Sequence, residues 1–211
     1  MILDAGLTLA MGDGVKAMVD VKLIDAVQAV GLTTGSAYKI WKNQDDFQQD
    51  LALHLASGFE WARITNLVPT LEPEPEEWNA WKVAHTYFEA FTQNRAFFVA
   101  LQFWGVGQPT PDLAKAMRDG YAIVSHDTEQ TVELYLQLNE RRVRKPYKTS
   151  DVATALSLTA EGSALRHHFD PEALESSDPS SYGLYTDVVK ALLQFYTEPI
   201  DSEDSEDVPA G

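Results

Sequence analysis

Cysteine is absent from the 211 residues. That excludes a disulfide scaffold, thiolate-bound zinc and a cysteine nucleophile. No run of about 18 uncharged apolar residues occurs, so no membrane-spanning helix is expected. The start, Met1-Ile2-Leu3-Asp4, has neither the basic opening nor the long apolar stretch of a signal peptide. A cytoplasmic protein is the expectation. Positive charge is scarce: 16 Lys and Arg stand against 32 Asp and Glu, a formal net charge of −16. Such a chain repels nucleic acid and anionic membranes as a whole, so no membrane partner is expected and any DNA contact must be local. What remains is ordinary globular composition, 45% hydrophobic and 23% charged.

The hydrophobic periodicity is helical throughout, which predicts an all-α fold of about nine helices with no strand pair. Helices are expected over about 2–11, 20–29 and 33–41. Gly12-Asp13-Gly14 and Gly31 are the breaks, and Val21, Ile24 and Val27 form the stripe of the second. Thr33 and Asn43 stand where N-caps are needed. Asn43 opens a helix over 44–66 with Phe47, Leu51, Leu55 and Phe59 on one face. The proline-rich stretch 67–77 reads as a linker. Beyond it come helices over about 76–93, 95–105, 111–139, 150–169 and 182–197. The basic segment Arg141–Pro146 reads as a solvated loop offsetting the C-terminal dipole of the long helix. Residues 198–211 carry six acids and no base and read as a disordered tail.

Segment 20–41 has the layout of a helix-turn-helix, in which the second helix exposes its first residues to a major groove. Gly31 suits the left-handed turn. Thr33, Thr34 and Ser36 are short polar residues facing out, and Leu32, Ala37 and Ile40 are expected to hold the helix inward. The run Leu32-Thr33-Thr34-Gly35-Ser36-Ala37-Tyr38-Lys39-Ile40-Trp41, followed by Asn43-Gln44-Asp45-Asp46-Phe47, resembles the signature of the tetracycline-repressor (TetR) family. Ile2–Ala5 and Glu161–Pro171 resemble that family's first and penultimate helices more loosely.

The resemblance implies an Ω-shaped homodimer, with a three-helix DNA-binding head over 1–46 and a larger helical ligand-binding and dimerisation body over 47–197. It implies a repressor that binds a palindromic double-stranded operator and releases it when a ligand enters the body. Carried over by position, Thr33, Thr34, Ser36 and Lys39 approach bases or phosphates, Tyr38 contacts a phosphate, Gly35 permits close approach, and Lys22 and Lys42 flank the helix. The head departs from the pattern in charge. Over 1–55 it has four lysines, seven aspartates and no arginine, a net charge of −3. A second reading therefore stands beside the first: a degenerate helical dimer that has lost DNA and serves as a small-molecule-binding or protein-interaction module.

In the body, nine aromatic residues lie between Trp78 and Trp104. Most are core, and together they fit a cavity for an apolar or aromatic effector of roughly drug size. Trp81, His85 and Phe88 share one helix face, and Tyr121, Val124 and Thr128 another. Phe103 and Trp104 complete the candidate lining. Glu161 lies on the apolar stripe of Leu158 and Leu165, where it either anchors a ligand or pairs with a structural partner. His167-His168 and Ser125-His126-Asp127 are contiguous on helices, so their side chains diverge. Neither a metal site nor a catalytic triad is expected, nor any cofactor or enzyme activity. The late stripes Val152-Ala155-Leu158-Leu165 and Leu184-Val188-Leu192-Phe195 fit a four-helix dimer interface.

Overall fold

The computed structural model describes residues 1–11, 20–58, 80–94, 97–99 and 109–200. The expected break at Gly12–Gly14, the helix end with Phe59, the proline-rich linker, most of the helix over 95–105 and the tail from 201 lie outside those residues. The chain divides into two compact units, residues 1–61 with 94–122 and residues 62–93 with 123–211. No helix among the described residues is long and apolar enough to cross a membrane.

The first unit contains α1 (Ile2–Met11), α2 (Leu23–Ala29), α3 (Thr34–Ala37) and α4 (Gln44–Gly58). Helix α1 packs on α2 and α4, and α2 on α3. Ile2, Leu23, Ala26, Val27, Ala37, Trp41, Phe47, Leu51 and Leu55 form a common core. Helices α1 and α4 approach so closely at Gly6 that a Cβ there would lie 2.9 Å from Leu51 Cδ1 and 3.2 Å from Phe47 Cζ. Asn43 caps α4 as expected, its Oδ1 accepting the Asp46 amide at 2.9 Å. Thr33 occupies the cap of α3, but its hydroxyl makes no cap bond, and its carbonyl accepts the Ser36 hydroxyl at 2.6 Å instead. Helix α2 buries Leu23, Ala26 and Val27, whereas the expected Ile24 is exposed.

The second unit contains α5 (Ala80–Thr92), the long α6 (Pro111–Leu138) from residue 123 on, α7 (Thr149–Phe169), a 3-10 turn (Pro171–Leu174) and α8 (Leu184–Tyr196). Helix α8 packs on α5 and α7. Val132, Tyr135, Val152, Ala160, Tyr185, Val189 and Leu193 are its buried core. Pro111 at the first turn of α6, with Thr110 Oγ1 accepting the Leu113 amide at 3.3 Å, explains where that helix starts. Asp187 accepts the Ser176 and Ser181 hydroxyls at 2.5 and 2.6 Å, fastening the preceding loop to α8 and holding its own carboxyl below the usual carboxylate range.

The expectation of no strand pair is overturned. Arg141–Val143 (β1) pairs antiparallel with Thr197–Pro199 (β2), Arg142 opposite Glu198. Glu198 and Pro199, read as the start of a tail, are therefore in a strand. The arginines are not a solvated loop serving the long helix. Arg141 donates from Nε to Thr197 Oγ1 at 2.7 Å and from its terminal nitrogen to the Thr197 carbonyl at 3.0 Å. Arg142 pairs with Glu198 at 3.0 Å. Thr197 caps the end of α8, its hydroxyl donating to the Leu193 carbonyl at 2.6 Å. The cationic charge thus serves the C-terminus of α8, where carbonyls lack partners.

Thr197 is fully buried, and its hydroxyl both donates and accepts. Thr197→Val keeps the shape and removes both bonds. It is expected to cost about 1–3 kcal/mol in urea unfolding, because the Arg141 N–H and the Leu193 carbonyl lose a partner. An unchanged midpoint would show that water replaces the hydroxyl.

Candidate DNA-recognition face and ligand cavity

Gly31, at φ +70°, turns the chain between α2 and α3, with the Leu32 amide donating to the Val27 carbonyl at 3.1 Å. Two glutamines of α4 hold this motif from behind. Gln44 accepts the Leu23 amide at 2.9 Å and donates to the Val21 carbonyl at 2.8 Å, and Gln48 donates to the same carbonyl at 2.7 Å. Trp41 is buried edge-on against Phe47, with centroids 5.4 Å apart, and its indole N–H donates to Asp50 at 2.8 Å. Ala37 and Trp41 are the inward anchors. Leu32 and Ile40, expected inward, are exposed, Ile40 at 64%. Helix α3 ends at Ala37, and Tyr38–Ile40 form a turn that swings Ile40 outward.

The outward side carries the sequence candidates. Thr33, Gly35, Lys39, Lys22 and Lys42 are exposed, Tyr38 is 55% exposed, and Thr34 and Ser36 are half-buried. None of the three lysines is in an ion pair among the described residues. The Lys42 amide donates to Asp46, so the acid stands close behind one of the candidate cations.

The second unit holds a partly open cavity of about 90 Å³. Helix α5 contributes Ala80, Val83, Ala84 and Tyr87, and α6 contributes Asp127, Thr128, Thr131, Val132 and Tyr135. Leu156 and Ser157 come from α7, and Tyr185, Val189 and Leu193 from α8. Tyr185 is held by stacking on Phe88, with centroids 4.6 Å apart. Burial pushes the Tyr87 hydroxyl up to about 12, and the charges of Glu161 and Asp127 add to it. Burial likewise raises Tyr185. Both hydroxyls stay protonated at neutral pH.

Compared with solved structures, the chain matches several proteins along almost its whole length. One, from Rhodococcus sp. RHA1 and assigned as a transcriptional regulator, covers 92% of both chains with TM-score 0.63 and 11% identity. Escherichia coli NemR in its reduced form covers 95% of this chain and 97% of its own, with TM-score 0.58 and 14% identity. A Rhodococcus sp. protein assigned to the TetR family of transcriptional regulators covers 92% and 96%, with TM-score 0.53 and 12% identity. No protein-family model and no curated protein matches the sequence.

The chain has the TetR-type fold.

Within the TetR-type fold, the cavity draws on other faces than the sequence selects. Trp81, His85 and Phe88 do not line it; the lining face of α5 is rotated by about one residue, onto 80, 83, 84 and 87. Trp81 lies beside Tyr135 and under Lys190, His85 lies against Tyr182 and near Glu89, and Phe88 stacks on Tyr185. Tyr121 falls in the first unit, and Val124 is buried outside the lining. Glu161 does not line the cavity either, but burial raises its carboxyl, and its charge reaches Tyr87. Phe103 and Trp104 lie outside the described residues. Thr128, on the stripe of Tyr121 and Val124, lines the cavity. The residues missed are Tyr87, Asp127, Ser157 and Tyr185. Asp127 had a legible signal, an acid three residues after buried Val124 on a mostly helical apolar stripe. Among the described residues no group of three or more His, Asp or Glu is arranged to hold a metal ion.

The raised Tyr87 hydroxyl makes stability depend on pH in the alkaline range. Between pH 10.0, the ordinary tyrosine value, and about 12, the unfolded chain releases a proton that folded Tyr87 keeps. Stability therefore falls as pH rises through this window, by up to about 1.4 kcal/mol per pH unit. Tyr87→Phe should flatten the fall in urea midpoints. A variant that tracks the wild type from pH 10 to 12 would show the hydroxyl to be solvated.

Proposed function

We propose that this chain is a cytoplasmic, ligand-responsive transcriptional regulator, a repressor that binds a palindromic operator as a homodimer and is released by a small apolar effector in the cavity. The observation that carries the reading is the TetR-type fold over at least 92% of the chain with a helix-turn-helix whose polar residues face outward. In this reading Thr33, Thr34, Ser36 and Tyr38 offer hydrogen bonds to the duplex, Gly35 allows close approach, and Lys22, Lys39 and Lys42 neutralise phosphates. The dimer reading is supported by exposed apolar side chains on α7 (Leu158, Leu165, Phe169) and α8 (Leu184, Val188, Phe195), which need a partner surface. Val152, from the same sequence stripe, is core instead.

The cavity by itself is smaller than a drug-sized effector. A cavity of about 90 Å³ is below the ~150 Å³ that accepts benzene, so it suits a body of a few heavy atoms. The head's net charge of −3 favours one competing reading, a TetR-type dimer without operator binding.

Selection from a random duplex pool at about 50 mM salt, where phosphate contacts are strongest, decides between them. The repressor reading expects an enriched palindrome, a dimeric mass by light scattering, and a slope of log K against log salt of about −5 or shallower from six lysines per dimer. Lys39→Ala should weaken binding and flatten that slope by about one unit per subunit. No enriched sequence would overturn it in favour of the dimer without DNA, and a monomeric mass at micromolar concentration would overturn both readings.

A further inference from the structure

The cavity's polar groups are uneven in sign, and we infer that its ligand is a small organic cation, a primary ammonium on a short apolar body. The inference rests on the effector reading above and gives that effector a chemical class.

Most of the wall is apolar: Val83, Val132, Leu156, Val189 and Leu193 supply surface for a hydrocarbon body. The polar remainder is one carboxylate and the hydroxyls of Thr128, Thr131, Ser157, Tyr87, Tyr135 and Tyr185. Asp127 contributes a carboxylate, and among the described residues that carboxylate has no hydrogen bond and no ion pair. The Thr128 and Thr131 hydroxyls already donate within α6, to the Val124 carbonyl at 2.8 Å and the Asp127 carbonyl at 3.0 Å. Their oxygens are left with lone pairs to offer. Ser157 Oγ is buried and has no hydrogen-bond partner among the described residues. Among the described residues, no lysine, arginine or histidine lines the cavity. Lys190, on α8, lies 3.7 Å from Asp187 and over the Trp81 ring.

These facts rank the ligand classes. An anion would meet the Asp127 carboxylate with no cation to offset it. A neutral apolar molecule would cover the carboxylate and the Ser157 hydroxyl without satisfying either, which is costly for a buried polar group and more so for a charge. An ammonium brings one compensating charge and three donors, enough for the carboxylate and for two hydroxyl oxygens. Burial is the main cause of the raised Tyr87 hydroxyl, and the charges of Glu161 and Asp127 that add to it have the same sign preference. The cavity of about 90 Å³ limits the body to a few carbons.

The test is calorimetric titration of the full chain, without DNA, with three molecules of one length: n-butylammonium, 1-butanol and butyrate. The ammonium is expected to bind at least tenfold tighter than the alcohol, and butyrate not to bind. Asp127→Asn should lower ammonium affinity about tenfold, to that of the alcohol, with thermal melting confirming that the variant folds. The three-ligand comparison on the unmodified chain stands even if the variant does not fold. Alcohol binding equal to or tighter than ammonium binding, or an ammonium preference that survives Asp127→Asn, overturns the cation inference and leaves the effector reading intact. No heat with any of the three up to millimolar concentration overturns both.

Discussion

The closure of α8 by Thr197 is the constraint on which the second unit depends. Helix α8 lays Tyr185, Val189 and Leu193 into the core and also forms one wall of the cavity. Its C-terminal carbonyls would be left without partners if the chain frayed there. The Thr197 hydroxyl takes the Leu193 carbonyl, and Arg141 takes Thr197, so the end of α8 is tied to the residues that follow α6. Two strands of three residues would be marginal alone. They hold because a guanidinium fork and the Arg142–Glu198 pair reinforce the ladder.

The first unit solves a different problem. Its recognition motif is short: α3 has four residues and α2 has seven. Helices of that length are not stable by themselves. They are fixed from outside, by the buried Ala37 and Trp41 and by the two glutamine amides on the Val21 carbonyl. The contact that brings α4 close enough to α1 is Gly6 against Leu51 and Phe47. The side of the motif away from this packing carries the polar candidates together with the exposed Ile24, Leu32 and Ile40.

The helical layout was legible because Phe47, Leu51 and Leu55 repeat at helical spacing and Asn43 and Pro111 mark starts. The glycine turn at Gly31 was legible for the same kind of reason, since φ +70° is a conformation glycine tolerates. The strand pair was not. Arg141–Val143 shows no alternation over three residues, and its pairing with Thr197–Pro199 spans more than fifty positions of sequence. The cavity face of α5 was not legible because Trp81, Val83, Ala84, Tyr87, Phe88 and Phe91 make an apolar arc too wide to single out one face. Gln44 and Gln48 were passed over since polar residues on a helix read as solvent-facing. The outward turn of Ile40 depends on α3 ending at Ala37, which no residue pattern announces.

The two hydrophobic cores, one around Phe47 and Leu51 and the other around Tyr185 and Leu193, share no residue among those described. Substitutions in one therefore fall in a different cluster of buried residues from substitutions in the other, and additive stability effects are expected. That gives the molecule a form of evolutionary independence. The lining of the cavity can be remodelled without repacking the scaffold of the helix-turn-helix, and the outward residues can change without disturbing the cavity. A lineage built on this plan can vary the cavity and the outward face of the helix-turn-helix as separate inheritances.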